Sequence, residues 1–301
     1  MAIINGTSGN DNLQGTTLDD TINGLSGNDV LSGGQGINTL NGGDGDDTLN
    51  NNFGTADGDA GTDVLIANYT GYSVAVRNNS SSTVKRIDNS STLLSYYDLE
   101  KLNITGSGFN DILVSYYNGD TLNGGNGNDQ LGLSYGTKTD NIALDLTNAT
   151  NQINYGTTTI TNFETISSID TGSGNDTLKL GLGGSTGGGT VDGNSGTDVL
   201  IANYTGYSVA VRNNSSSTVK RIDNSSTLLS YYDLEKLNIT GSGFNDILVS
   251  YYNGDTLNGG NGNDQLGLSY GTKTDNIALD LTNATNQINY GTTTITNFET
   301  N

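Results

Sequence analysis

The chain has 301 residues with a formal net charge of −21, from 32 Asp and Glu against 11 Lys and Arg, a balance that disfavours nucleic acid and anionic membranes as partners. It contains no His, Cys, Pro or Trp. That excludes a Ser-His-Asp triad, a His-based zinc site, a thiol nucleophile and disulfide staples.

The first fifty residues hold one nine-residue row five times: GTSGNDNLQ (6–14), GTTLDDTIN (15–23), GLSGNDVLS (24–32), GGQGINTLN (33–41) and GGDGDDTLN (42–50). The sixth place holds Asp11, Asp20, Asp29, Asn38 and Asp47, and the eighth Leu13, Ile22, Leu31, Leu40 and Leu49. Strands in a parallel sheet lie about 4.8 Å apart, and calcium holds oxygen ligands at roughly 2.3–2.6 Å. If two rows make one coil, residues eighteen apart stack, and one ion fits between their oxygens. Asp11, Asp29 and Asp47 would then form one column, with Asp20 and Asn38 on the opposite edge and binding more weakly. The short T-L-N segment reads as the strand, its eighth residue inward and its seventh and ninth outward.

After an irregular row, NNFGTAD (51–57), the row 58–66 restores the pattern with Asp63. The Val-, Ile-, Leu- and Tyr-rich stretch that follows, to about residue 105, reads as wider coils of the same solenoid with NNSSST and DNSS as side loops, or as a separate small β domain. Rows at 106–114, 115–123 and 124–132 place Asp111, Asp120 and Asp129, the first and last of them eighteen apart. TGSGNDTLK (171–179) adds Asp176. The glycine-rich stretch 181–192 is a flexible linker or a bulged coil.

Residues 61–165 recur letter for letter as 196–300, at an offset of 135. Asp198, Asp246, Asp255 and Asp264 therefore inherit the reading of Asp63, Asp111, Asp120 and Asp129. By these repeats the chain divides into 1–57, 58–192 and 193–301, the last a near-copy of 58–165.

These rows resemble the G-G-x-G-x-D-x-U-x nonapeptide of the RTX calcium-binding family. The resemblance implies an all-β, right-handed parallel β-roll or β-solenoid, several bound calcium ions, calcium-driven folding and export from a bacterium. Such relatives leave the cell without a cleaved N-terminal signal. MAIIN is too short for a signal core, and no apolar run approaches a membrane span, so an extracellular or cell-surface location is expected.

The start, MAIINGTSGNDNL (1–13), aligns with ISSIDTGSGNDTL (166–178), which follows the first long copy. The match suggests a head-to-tail homopolymer in which the first coil of one copy covers the last of another, a contact that does not close. A non-enzymatic, secreted structural fibre is the expected function. A polysaccharide-binding or adhesin module is an alternative, with exposed Tyr96/Tyr97 and Tyr116/Tyr117 as stacking platforms. Ice binding by Thr21/Asn23, Thr39/Asn41 and Thr48/Asn50 is another.

Overall fold

A computed structural model describes residues 1–80, 82–182, 188–215, 217–271, 276–283 and 285–299. The described secondary structure is all strand, and the strands pair mostly in parallel. The chain is an all-β parallel β-roll, as the row pattern requires. It forms two compact units, Met1–Leu133 with Gly156–Glu164, and Ser134–Tyr155 with Thr165–Asn301.

In the first unit, successive rows go alternately to two sheets. Ile3–Asn5, Thr21–Ser26, Asn38–Asp44 and Gly54–Ala60 pair in parallel in one sheet. Asn12–Gln14, Val30–Ser32, Thr48–Asn50, Val64–Asn68, Lys101–Thr105, Thr121–Asn123 and Thr159–Thr161 stack in the other. The register places Ile4 over Ile22 and Ile22 over Leu40, and Leu13 over Leu31 over Leu49. Partners are thus eighteen residues apart, as expected. The eighth-place residues Ile22, Leu31, Leu40 and Leu49 are wholly buried, followed by Leu65 on row 58–66. Their seventh and ninth neighbours face outward because successive side chains on a strand alternate.

The wider stretch is a coil with a hairpin folded into it. Val64–Asn68 and Lys101–Thr105 remain in parallel register over five residues. In the other sheet, Val76–Ser80, Thr83–Arg86 and Thr92–Tyr97 form an antiparallel meander. Its outer strands are parallel to the coils on either side, Thr92–Tyr97 to Gly54–Ala60 and Val76–Ser80 to Ile112–Ser115. Three strands here replace one, so the strand direction is restored. The stretch belongs to the solenoid and is not a separate domain. Val76, Val84, Leu94 and Tyr96 extend the core across it.

The second unit repeats this arrangement. Val211–Ser215, Thr218–Arg221 and Thr227–Tyr232 form the meander, and Val199–Asn203, Lys236–Thr240, Thr256–Asn258 and Thr294–Thr296 stack in parallel. Of the glycine-rich stretch 181–192, Gly189–Asp192 is a strand paired with Thr165–Asp170 and Thr227–Tyr232. The linker reading of 183–187 lies outside the described residues.

Candidate metal centre

The sixth residue of each row ends a tight turn with its N–H directed along the stack. Asp11 N–H donates to Asp29 Oδ1, Asp29 to Asp47 Oδ1 and Asp47 to Asp63 Oδ1, each at 2.7 Å. Asp63 N–H donates to Glu100 Oε2 at 2.8 Å. The same ladder runs from Asp111 to Asp129 to Glu164, at 2.7 and 2.8 Å. In the second unit it runs from Ile142 to Asp176, Asp198 and Glu235, and from Asp246 to Asp264 to Glu299. One carboxylate oxygen per row is thereby committed to satisfying a backbone donor.

The other oxygen divides the acids into two sets. The Oδ2 atoms of Asp29, Asp47, Asp63, Asp176, Asp198 and Asp264 are buried and accept no hydrogen bond. A buried carboxylate oxygen with no donor is costly unless a cation or a proton meets it. A methyl group placed on Gly24, Gly42 or Gly58 would collide with Oδ2 of Asp29, Asp47 or Asp63 respectively. It would also collide with the carbonyl oxygen of Gly42, Gly58 or Asp98 on the next coil. The first glycine of the row therefore keeps open a space walled by one carboxylate and a carbonyl of the coil above. Gly193 and Gly259 do the same beside Asp198 and Asp264. Among the described residues no three acidic side chains converge on one point. An ion in these spaces would draw on side-chain and main-chain oxygens together, a donor set that suits calcium.

In the second set, Asp11 Oδ2 accepts from Thr7 N and Oγ1 at 2.6 and 2.9 Å, and Asp20 Oδ2 from Thr16 N and Oγ1 at 2.6 and 2.7 Å. Ser107 and Ser242 occupy Asp111 and Asp246 in the same way. A hydroxyl residue at the second place of the row thus engages the oxygen that glycine leaves bare. The Thr16 hydrogen bonds hold the Asp20 carboxyl below its ordinary range. Its column partner Asn38 accepts from Asp20 N–H at 3.0 Å, which makes this edge a hydrogen-bonded one.

Asp120 and Asp255 are more heavily hydrogen-bonded than the other acids. The Asp120 carboxylate accepts from Leu102 N, Ser115 Oγ, Tyr116 N and Tyr117 N at 2.8–3.0 Å, and Asp255 repeats all four bonds. Both are buried, and each of their carboxylate oxygens already accepts a hydrogen bond, so neither has the bare Oδ2 of the first set.

Burial, together with the charges of Asp47 and Glu100, pushes the Asp63 carboxyl up to about 6. Burial likewise raises Asp129, Asp198 and Asp264 to about 6, with help from Glu164, Glu235 and Glu299 respectively. Each is the acid whose next neighbour in the column is a glutamate. Those four glutamates are absent from the row-based reading because they sit outside the glycine frame. A signal for them exists in Asp98-Leu99-Glu100-Lys101-Leu102 and Asn162-Phe163-Glu164-Thr165-Ile166. In both, buried apolar residues flank a glutamate, and a residue at positive φ, Asp98 (46°) or Asn162 (57°), stands where a row has glycine.

The fifth places form a second ladder. Asn28 N–H donates to Asn10 Oδ1, Asp46 N–H to Asn28 Oδ1 and Thr62 N–H to Asp46 Oδ1, at 2.9–3.1 Å. On the outer face Asn5, Asn23 and Asn41 form an amide ladder at 2.7 Å. This engages the amides of Asn23 and Asn41, two of the residues considered for ice. The tyrosine platforms are also corrected: Tyr96 is core at 1% exposure, leaving Tyr97 alone outside, and Tyr116 and Tyr117 are half-buried.

Fold and columns together define a calcium-binding parallel β-roll. The family model described as RTX calcium-binding nonapeptide repeat (4 copies) matches residues 5–40, 25–55, 103–131, 167–186 and 238–266. Over these segments the chain is built of RTX repeats, which bind calcium at several sites and are structural, not catalytic, elements. Asp63 and Asp198 fall outside the matched residues yet continue the columns. No curated protein matches the chain.

Proposed function

We propose that the chain is a calcium-stiffened structural solenoid, exported from a bacterium, whose copies stack head to tail into an extracellular fibre, sheath or surface layer. Calcium is assigned to the spaces beside Asp29, Asp47, Asp63, Asp176, Asp198 and Asp264, whose Oδ2 atoms lack a donor. Neutralising stacked buried carboxylates couples folding to the ion. An exported chain would stay unfolded where calcium is scarce and fold where it is abundant.

The observation that carries assembly is one sequence in two states of burial. Ile142 and Leu144 are each 1% exposed, and their strand pairs in parallel with Thr177–Leu182. The identical Ile277 and Leu279 are 40% and 49% exposed, and Ala278–Leu279 pairs only with Ile288–Asn289 among the described residues. What covers the buried version has a counterpart in residues 10–13. Asn10-Asp11 and Leu13 correspond to Asn175-Asp176 and Leu178, and Asn12–Gln14 is the last strand of its sheet among the described residues. In a neighbouring copy, Asp11 would receive the Ile277 N–H as Asp176 receives that of Ile142 at 2.7 Å. The contact joins unlike surfaces, so it propagates as a fibre and hides edges that otherwise invite unspecific pairing.

Sedimentation and electron microscopy in millimolar calcium test this. The wild type should form filaments, and Ile277→Lys with Leu279→Lys should leave calcium-folded monomers. Wild-type monomers at high protein concentration would overturn the assembly.

A further inference from the structure

We infer that each long copy carries a binding trough for a neutral polysaccharide. The first, of about 640 Å³, lies at one turn of the coil and is lined by Tyr72, Thr105, Phe109, Asn123, Asn126 and Asn162 with small residues between them. Its twin, of about 610 Å³, is lined by the residues 135 positions further on. Both volumes fall in the range of small-molecule sites.

The lining departs from the rest of the surface. In a chain of net charge −21, no Asp, Glu, Lys or Arg borders either trough. Hydroxyls, amides and two aromatic rings remain. That set hydrogen-bonds the hydroxyls of a sugar and packs against its C–H faces, and it presents no charged side chain to an ion or a phosphate.

The aromatic groups are held in place. Phe109 occupies the fourth place of its row, where Gly27, Gly45 and Gly127 stand in others. It is 49% exposed, and its N–H is held by Ser107 Oγ at 3.2 Å. The Tyr72 ring packs 5.7 Å from Phe53 and 6.1 Å from Tyr69. On the polar side, Asn123 Oδ1 accepts from Asn162 Nδ2 at 2.8 Å and from Gly125 N at 3.1 Å, which fixes both amides. A Cβ added at Gly71 or Gly108 would meet nothing within 4 Å, so the trough is open along its floor. An open trough admits the interior of a long chain, not merely its end. The exact repeat gives each long copy its own trough, so each molecule carries two.

Affinity electrophoresis of the calcium-loaded protein carrying Ile277→Lys with Leu279→Lys, so that stacking between copies does not itself retard it, through gels with and without dextran, xyloglucan, galactomannan or a mixed-linkage β-glucan tests the inference. At least one polymer should retard the protein. Retardation should weaken about tenfold or more in Phe109→Ala with Phe244→Ala, and in Gly108→Leu with Gly243→Leu, whose side chains fill the troughs. Circular dichroism with calcium should match the wild type in the glycine pair, which separates a lost trough from a lost roll. No retardation by any of the four polymers, or full retardation in both pairs, would overturn the inference. Neither outcome bears on calcium binding or fibre formation.

Discussion

Asp47 donates its backbone N–H to Asp63 Oδ1 at 2.7 Å across sixteen residues, where every earlier step of the column spans eighteen. The irregular row 51–57 therefore shortens the coil without breaking the acid ladder. Gly54 absorbs the difference with φ of 106°, where its missing side chain lets the Asn38 backbone approach closely. Asp63 thus sits where one acid serves both the regular rows below it and Glu100 above it.

Asp63→Asn should keep an acceptor for Asp47 N–H but remove the charge. Calorimetric titration should find fewer or weaker calcium sites, and thermal stability in calcium should fall by about 1–3 kcal/mol. An unchanged calcium isotherm would rule Asp63 out as a ligand. Asp120→Asn should leave calcium stoichiometry intact, because that carboxylate already accepts four hydrogen bonds.

Gly42→Ala tests the space itself. The added methyl meets Asp47 Oδ2 and the Gly58 carbonyl. Overpacking of this kind costs about 1–3 kcal/mol, and the calcium requirement for folding should rise with it. Gly9→Ala is the control, since a Cβ there has only Thr7 Oγ1 within 4 Å. Calcium midpoints followed by circular dichroism should separate the two variants.

Leu25 has φ of 81°, at a place where Gly34 and Gly43 have 78° and 107°. Being 52% exposed, it gives up little burial if removed. Leu25→Gly should stabilise the roll by about 1 kcal/mol, the cost of holding a side chain in the left-handed region. A lower melting temperature would count against strain at this position.

Acid should act in opposite senses with and without calcium. Asp63, Asp129, Asp198 and Asp264 titrate at about 6 in the fold, against about 3.9 in an unfolded chain. Between those values the folded state holds more protons, so the calcium-free roll gains stability as pH falls and loses it as pH rises through 6. Protons also compete with the ion, so the calcium midpoint at pH 5 should exceed that at pH 7.5. A calcium-free chain that loses β-structure from pH 6.5 to 4.5 would contradict the assignment.

Much of this was legible in the rows. Period nine gave the strands, the stacking of Leu13, Leu31 and Leu49, and the columns of acids. The split within the acids was less so, because Asp11 and Asp29 share a place in the row and differ only in what precedes them. Thr7 closes the oxygen of Asp11, whereas Leu25 at the same place has no hydroxyl to offer Asp29. The glutamates were hidden because Glu100 and Glu164 come from rows that lack the glycine frame. The meander was hidden because the partial alternation in YSVAVRN and the short TVKRID segment mark strands, and neither distinguishes parallel from antiparallel pairing.

That meander leaves and rejoins the stack between two strands whose alignment it never disturbs, Val64–Asn68 and Lys101–Thr105. The roll therefore behaves like a ruler that accepts a tab on one side while its graduations stay put. A foreign peptide spliced between Val76–Ser80 and Thr83–Arg86 would leave the spacing of every acid in the stack as it is.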